Sequence, residues 1–213
     1  MKINLEIISS ASLLAPKQIE NLRTKELVPK MITRRRLTRG AKIAIELQDM
    51  VGFVDGRVIS GSAYGELGVT AKILESIKDN QPISPTDFQN SVYNTAVSYL
   101  SIISQNKNEI TTLSCGDKTA HTILKMGAVK ALDGDEILLL CFETIDIKNI
   151  EEINSCIDFL ESGVALKVKV TDKNANLKVQ KSETKGVPNS ISELLYLSES
   201  SKGISNPVVE IEV

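Results

Sequence analysis

The sequence predicts an α/β fold in which helices cover a layered sheet. Strand-like and helix-like segments alternate along the chain, and the connections between them are short. Residues 136–142, EILLLCF, are nearly all apolar, which is typical of a central strand covered on both faces. The 213 residues, 42% of them hydrophobic, suffice to bury a substantial core, and we expect a single domain over 1–213.

The first half of the chain contains two predicted strands and three predicted helices. Residues 3–8 alternate as a strand does, 10–30 are irregular or partly helical, and apolar spacing predicts a helix from 37 to about 51. A buried strand over 57–62 then precedes a helix over 64–78. After a turn at 81–85, Ser84 or Thr86 can cap a continuous helix over 86–104.

The second half continues the alternation. A strand is expected over 110–114, a helix over 117–132 and the central strand over 136–142. In the tail, strands are expected over 164–170, 177–180 and 208–213, with a short helix over 191–197. Cys156 falls in a predicted amphipathic helix.

Composition excludes several classes of protein. The net charge of −2 argues against general binding of nucleic acid or membrane surfaces. No stretch approaches the roughly 20 apolar residues that a membrane helix needs, and Glu6 interrupts the apolar N-terminal run, so we expect a soluble, cytoplasmic protein. Cys115, Cys141 and Cys156 show no C-x-x-C spacing, which predicts free thiols, no structural zinc and no disulfide framework.

The predicted helix over 86–104 is apolar nearly all round. Val92, Ala96, Tyr99 and Ile103 form one stripe, and Tyr93, Val97 and Leu100 form the next. Such a helix is expected to be buried on more than one side, against its own sheet and against a second surface. The polar Asn94 would then need a hydrogen-bond partner, which we expect to be backbone across that surface.

Four segments together resemble the N-terminal half of β-ketoacyl synthases, which have the thiolase fold. The four are TRRRLTRGAKIAIE, RVISGSAYGEL, ISPTDFQNSVYNTAVSYLSI and the long stretch TTLSCGDKTAHTILKMGAVKALDGDEILLLCFET. Within that family the chain is similar to the short chain length factors of aryl polyene pathways. The resemblance implies a thiolase-like, layered α-β-α domain with a mixed sheet. Such a domain corresponds to a truncated half of a ketosynthase. Residues 1–145 would form the ketosynthase-like core and 146–213 a shortened C-terminal part.

The resemblance also implies a degenerate nucleophile elbow at Cys115, Gly116 and Asp117. Condensing synthases use a cysteine thiolate at a helix N-terminus and two histidines, and this chain has only His121. Alignment on Ala120, His121 and Ile123 places Gly116 at the nucleophile position. We therefore expect Cys115 to be a small buried residue rather than a nucleophile, and His121 to be a packed or hydrogen-bonded histidine on a helix. Asp117 is expected to cap that helix, or else to touch the active site of a partner.

What the resemblance implies about partners follows from this incomplete elbow. A chain length factor forms a heterodimer with a full-length ketosynthase, has no cofactor or metal of its own, and acts on a chain carried by the phosphopantetheine of an acyl carrier protein. The helix over 86–104 would lie at the dimer interface, near the end of the acyl tunnel. The implied tunnel and interface residues are Val92, Tyr93, Asn94, Thr95, Ala96 and Tyr99. The basic residues Arg34, Arg35, Arg36 and Arg39 are candidates for carrier-protein docking.

Two other functions remain open at the level of sequence. In one, Cys115 accepts an acyl group, with or without His121, in an acyltransferase or hydrolase that acts alone. In the other, the chain is a homodimeric scaffold or a docking module for carrier proteins.

Overall fold

A computed structural model describes residues 1–154 and 156–213. Its six strands form one mixed sheet in the order β3-β2-β4-β5-β1-β6. The strands are β1 (Lys2–Ala15), β2 (Arg57–Gly61), β3 (Ile110–Leu113), β4 (Ile137–Thr144), β5 (Glu161–Val170) and β6 (Val208–Glu212). β2 pairs in parallel with β3 and β4, whereas β5 and β6 pair antiparallel with their neighbours. The predicted mixed sheet is confirmed.

Nine α-helices accompany the sheet within the described residues. They are α1 (Thr24–Leu27), α2 (Met31–Arg34), α3 (Arg39–Met50), α4 (Leu67–Lys78), α5 (Pro85–Asn90), α6 (Thr95–Ser104), α7 (Thr119–Lys130), α8 (Ile150–Ile153) and α9 (Asn189–Ser200). Across residues 1–154 and 156–213, no helix combines the length and apolarity needed to cross a membrane.

Each face of the sheet buries its own apolar core. On one face Leu139, Leu166 and Ile211 pack against α7 and α9, for example against Ile123 and Leu194. On the other face Leu138, Leu140 and Ala165 pack against α3 and α6. This is the predicted layered α-β-α arrangement. All eight residues of β4 are buried, as the apolar run over 136–142 predicted.

Several predicted boundaries differ from the structure. β1 continues to Ala15 because it pairs with β5 along its whole second half, so the segment after residue 8 is extended rather than irregular. Leu177 makes only an isolated bridge to Val209, in place of the predicted strand over 177–180. Cys156 is exposed beyond the end of α8, and the amphipathic helix predicted around it is wrong.

The predicted helix over 86–104 is two helices. α5 ends at Asn90, and α6 begins at Thr95 after a turn at 91–94. The Ser91 hydroxyl donates back to the carbonyl of Phe88 at 2.9 Å, which is the local bond by which serine competes with helix continuation. The break places Val92, Tyr93 and Asn94 outside both helices.

Candidate functional site

The candidate elbow lies between β3 and α7. Gly116 has a φ of +55°, a left-handed conformation that glycine adopts without the steric cost paid by other residues. The Thr119 hydroxyl organises the turn, accepting from the N–H of Cys115 at 3.1 Å and donating to the carbonyl of Gly116 at 2.7 Å. The turn therefore holds its shape through Thr119, and the position aligned with the synthase nucleophile carries no side chain.

Two expectations about the elbow are wrong. Cys115 is exposed, not buried, because it lies in the open turn that follows the short edge strand β3. Asp117 lies inside a 3-10 turn over Gly116–Lys118 and makes no cap bond; its Oδ2 accepts from the Nδ2 of Asn189 at 3.3 Å. The side chain of Asp117 thus connects the start of α7 to the start of α9.

His121 lies in α7 and contacts α9. Its Nδ1 is 3.2 Å from Oε2 of Glu193, and the imidazole is 47% exposed. The predicted hydrogen-bonded histidine is the observed arrangement. The contact between the imidazole ring and Glu193 joins α7 to α9, at a position about one and a half turns beyond Cys115.

A buried carboxylate lies at the carboxyl end of β4. Glu143 is fully buried and accepts bonds from the hydroxyls of Ser62 (2.7 Å) and Ser190 (2.6 Å). It also accepts from the N–H groups of Ala63 (2.6 Å) and Tyr64 (3.2 Å). Burial raises the pKa of Glu143, and these four bonds oppose that rise.

Glu143 connects three elements that are distant in sequence. It holds the turn between β2 and α4, which carries Tyr64, and the N-terminus of α9, which carries Ser190. Burial raises the pKa of the Tyr64 phenol, with further contributions from the charges of Glu143 and Asp117. Sequence reasoning missed Glu143; the available signal was a single acidic residue at the end of an otherwise apolar strand.

A second buried carboxylate lies on the opposite face of the sheet. Glu66, only 4% exposed, accepts hydrogen bonds from the Thr38 hydroxyl and from the backbone of Gly40. A Cβ at residue 40 would lie 2.8 Å from Oε1 of Glu66, so glycine is needed for this approach. Burial raises the pKa of Glu66 to about 7, against the lowering effect of both bonds.

Glu66 lines a cleft of about 590 Å³ between α4 and the α2–α3 junction. Of the four arginines proposed for docking, Arg35 and Arg36 are exposed at this cleft. The other two serve the fold. Arg34 donates to the carbonyls of Val28 and Pro29, and Arg39 forms an ion pair with the buried Glu161 at 2.5 Å. Those internal bonds leave only Arg35 and Arg36 for an external anion.

The six predicted tunnel and interface residues divide into two groups. Val92, Tyr93 and Asn94 are exposed in the turn between α5 and α6. Thr95 and Ala96 are buried within the chain, and Ala96 belongs to the α3–α6 core. The half-buried Tyr99 donates from its hydroxyl to Oδ1 of Asn90 at 3.2 Å. Thr95 and Ala96 therefore already have intramolecular neighbours, and phenylalanine at Ala96 would overpack the core rather than fill a tunnel.

Other exposed apolar residues lie on α4, on α5 and in the connections next to them. α4 has no buried residue, although it is rich in apolar side chains. One of its faces lines the cleft, and its Leu74 and Ile77 are 60% and 56% exposed. We call the following residues the α4–α6 surface: Tyr64, Leu74, Ile77, Ile83, Phe88, Val92 and Tyr93. Each is at least 40% exposed, and all lie on α4, on α5 or in the connections next to them. Exposed apolar residues concentrated in one part of a fold are typical of interaction sites.

Comparison with known proteins shows which family model the sequence matches and which solved structures share the fold. The family model for the beta-ketoacyl synthase N-terminal domain matches residues 10–200. No curated protein sequence matches the chain.

Solved structures share the fold. A ketosynthase (ApeO) in complex with its chain length factor (ApeC) from Xenorhabdus doucetiae matches with a TM-score of 0.71 and 22% identity, over 95% of this chain and 93% of that chain. A beta-ketoacyl synthase from Burkholderia phymatum STM815 matches with a TM-score of 0.59 and 10% identity, over 80% of this chain and 60% of that one. The ishigamide ketosynthase/chain length factor matches with a TM-score of 0.57 and 12% identity, over 82% of this chain and 63% of that one. The thiolase-like fold predicted from the sequence is confirmed.

The substitution Glu66→Gln should flatten the pH dependence of stability. A carboxyl whose folded pKa is raised to about 7 stabilises the folded state below its unfolded pKa of about 4.5, and that contribution is lost as the pH rises to 7. Between pH 5 and 8 the free energy of unfolding should fall by roughly 2 kcal/mol more in the wild type than in the variant. Urea unfolding at several pH values measures this. The exposed Glu75→Gln, in the same cleft, is the control, and parallel curves for wild type and Glu66→Gln would disprove the assignment.

Proposed function

The chain belongs to the family of beta-ketoacyl synthase N-terminal domains, and on this premise we propose that it is a non-condensing partner subunit of a ketosynthase. In this role it forms a heterodimer with a full-length ketosynthase and acts as its chain length factor. The ketosynthase subunit supplies the nucleophile and the histidines. This chain supplies a docking face and part of the wall of the acyl tunnel.

The observation that carries the proposal is the α4–α6 surface. None of the residues of the apolar helix α4 is fully buried, so much of its apolar surface adds nothing to the stability of the isolated domain. Packing of α4 and α5 against a second subunit would bury Leu74, Ile77 and Phe88, which are 56–69% exposed. At about 25 cal/mol per Å² of apolar surface, burying such side chains is a strong drive toward association. The described complex of a ketosynthase with its chain length factor supports this partner class.

The state of the elbow supports a non-condensing role. Gly116 stands where the family nucleophile would stand, and the neighbouring Cys115 is exposed in a turn held by Thr119. The single histidine is engaged by Glu193. A thiol without a neighbouring base lacks the activation that acyl transfer needs.

The position of Val92 and Tyr93 supports a part in determining chain length. They lie exposed in the turn between α5 and α6. In the proposed heterodimer, a side chain in this turn would reach a cavity shared by both subunits. Tyr93 is fixed there because its ring contacts Gly65 and its hydroxyl donates to the carbonyl of Ala63 at 3.3 Å. Bulky side chains at this place would end the acyl tunnel early. The growing chain would be carried on the phosphopantetheine of an acyl carrier protein, with Arg35 and Arg36 available to its acidic surface.

Val92→Asp should prevent assembly with the ketosynthase. An ionised carboxylate buried in an apolar interface without a partner costs several kcal/mol, which corresponds to a loss of at least about a hundredfold in affinity. Co-purification and size measurement of co-expressed subunits test this. Val54→Asp is the matched control, since Val54 is 79% exposed in the loop before β2, at the opposite end of that strand from α4. A Val92→Asp complex as stable as the control complex would contradict the interface.

Val92→Trp should shorten the product of the assembled complex, because a larger side chain would fill the end of the tunnel. The measurement is the distribution of chain lengths by mass spectrometry, with Val54→Trp as the control. Equal distributions for the two variants, in complexes of equal yield, would contradict a tunnel role for this turn.

Cys115→Ala should leave the product rate of the complex within about twofold of the wild type, because no bond is made at this sulfur in the proposed role. The competing function, an acyltransferase or hydrolase that depends on Cys115, predicts a loss of several orders of magnitude. Assays of the chain alone and of the complex distinguish the two. Turnover by the isolated chain that disappears in Cys115→Ala would overturn the non-condensing role.

A further inference from the structure

Tyr93 differs from the rest of the α4–α6 surface because the chain itself already holds its exposed ring. Although the residue is 45% exposed, its hydroxyl donates to the carbonyl of Ala63 at 3.3 Å. Two of its ring carbons lie 3.1 Å from the position that a Cβ on Gly65 would occupy, so one side of the ring rests on bare backbone. The ring is therefore fixed at its hydroxyl and along one side.

The backbone that holds this ring is tied to the buried carboxylate of Glu143. The N–H of Ala63 donates to Oε1 of Glu143 at 2.6 Å. The N–H of Gly65 donates to the Ser62 hydroxyl at 2.7 Å, and that hydroxyl donates in turn to Oε2 of Glu143 at 2.7 Å. Both residues that hold Tyr93 thus reach a fully buried group within two hydrogen bonds. The position of the ring is set before any partner arrives.

The other large apolar side chains of this surface cannot be held in the same way. Phe88 is 69% exposed on α5, and Leu74 is 60% exposed on α4, a helix with no buried residue. Their side chains carry no hydrogen-bonding group that could be tied to the backbone, so docking has to order them. Ordering a mobile side chain lowers affinity. A tyrosine ring that is fixed beforehand offers a large contact area without that loss.

The bond to Ala63 also determines what kind of surface can receive the ring. A tyrosine hydroxyl that becomes buried normally needs a hydrogen-bond partner. The hydroxyl of Tyr93 has its partner within the chain, so the receiving surface needs no polar group at this point. A concave apolar pocket gains most from covering a fixed aromatic ring, because it removes the ring from water.

We propose that Tyr93 is the anchor of the α4–α6 surface and that an apolar pocket of the ketosynthase subunit receives its ring. The inference rests on the proposed heterodimer and names the residue that contributes most to its affinity. Gly65 acts through Tyr93 as a positioning residue, because its lack of a side chain leaves room for the ring. Aromatic residues seated in a pocket of the partner carry much of the binding energy of protein interfaces.

The first test compares two aromatic residues of the same surface. We expect Tyr93→Ala to weaken the complex with the ketosynthase subunit at least about thirtyfold, and at least about tenfold more than Phe88→Ala does. Both variants remove a six-membered ring from an exposed position, and Phe88 is the more exposed of the two. Dissociation constants from titration of the purified subunits measure the difference.

A double-mutant cycle tests the positioning role of Gly65. Gly65→Ala places a methyl group 3.1 Å from two ring carbons, displaces the ring, and should weaken the complex at least about fivefold in the wild-type background. In the Tyr93→Ala background the same change should alter affinity less than about twofold, because no ring remains to be displaced. Alanine at a φ of +60° is strained in both backgrounds, so a purely structural effect would weaken both equally.

The isolated chain provides a readout that needs no partner. The α-proton of Gly65 that points at the ring lies within reach of its ring current. The chemical shift of this proton should change in Tyr93→Leu and stay constant in Phe88→Ala. An unchanged shift in Tyr93→Leu would show that the ring is not held on Gly65, and would overturn the inference even where a variant assembles poorly.

The outcomes separate this inference from the proposed function. A wild-type chain that binds no ketosynthase subunit would refute the heterodimer and, with it, the anchor. A wild-type chain that binds, but with equal losses for Tyr93→Ala and Phe88→Ala, would leave the heterodimer intact and overturn the anchor. Additive effects of Gly65→Ala and Tyr93→Ala would overturn the positioning role of Gly65.

Discussion

The carboxylate of Glu143 is the constraint on which the functional half of this molecule depends. It lies at the carboxyl end of the central strand β4. Its four bonds satisfy four donors: the hydroxyls of Ser62 and Ser190 and the backbone N–H groups of Ala63 and Tyr64. Loss of the carboxylate would leave buried donors that cost about 1–3 kcal/mol each. Because one bond partner begins the connection to α4 and another begins α9, a single side chain determines where both helices start.

That constraint explains how α4 can stand away from the sheet. A helix without buried residues has no core of its own to fix its position. Its start is instead fixed by Glu143 through residues 62–64 and by Glu66 through Thr38 and Gly40. The two carboxylates lie on opposite faces of the sheet, on either side of one short turn. If α4 docks on a second subunit as proposed, a helix held in this way is preorganised for it, and preorganisation reduces the entropy lost on association.

The sequence predicted the fold better than it predicted the site, and particular residues show why. The apolar run of β4 and the spacing of α3, α7 and α9 are set by burial, which leaves a clear periodic pattern. The break at 91–94 has no proline or glycine, so apolar periodicity alone predicted one helix. Cys115 was predicted to be buried because its residue type is commonly buried, but burial here depends on the turn geometry.

Other parts of the site lie beyond any local pattern. The bonds of Glu143 join residues 47 to 81 positions apart, and a pattern of neighbouring residues contains no information about such pairs. The resemblance of four segments pointed to the residues around Gly116, where the structure has a tight turn between β3 and α7, but it gave no sign of the turn at Val92, which was predicted as helix. It could not show which of the four arginines remain available, since Arg34 and Arg39 are engaged by carbonyls and by Glu161.

The long first strand has a consequence for how the protein is made. Within the described residues β1 pairs only with β5 and β6. Ala15 therefore cannot pair until Glu161 has been synthesised, and Lys2 cannot pair until Glu212 has been synthesised. During synthesis on the ribosome, the chain therefore emerges with its opening fourteen-residue strand unpaired on both edges until the last strands have been translated. An extended apolar segment left open for that long is a target for chaperones and for wrong pairing, and the polar side chains of Ser9, Ser10 and Ser12 in its middle lower that risk.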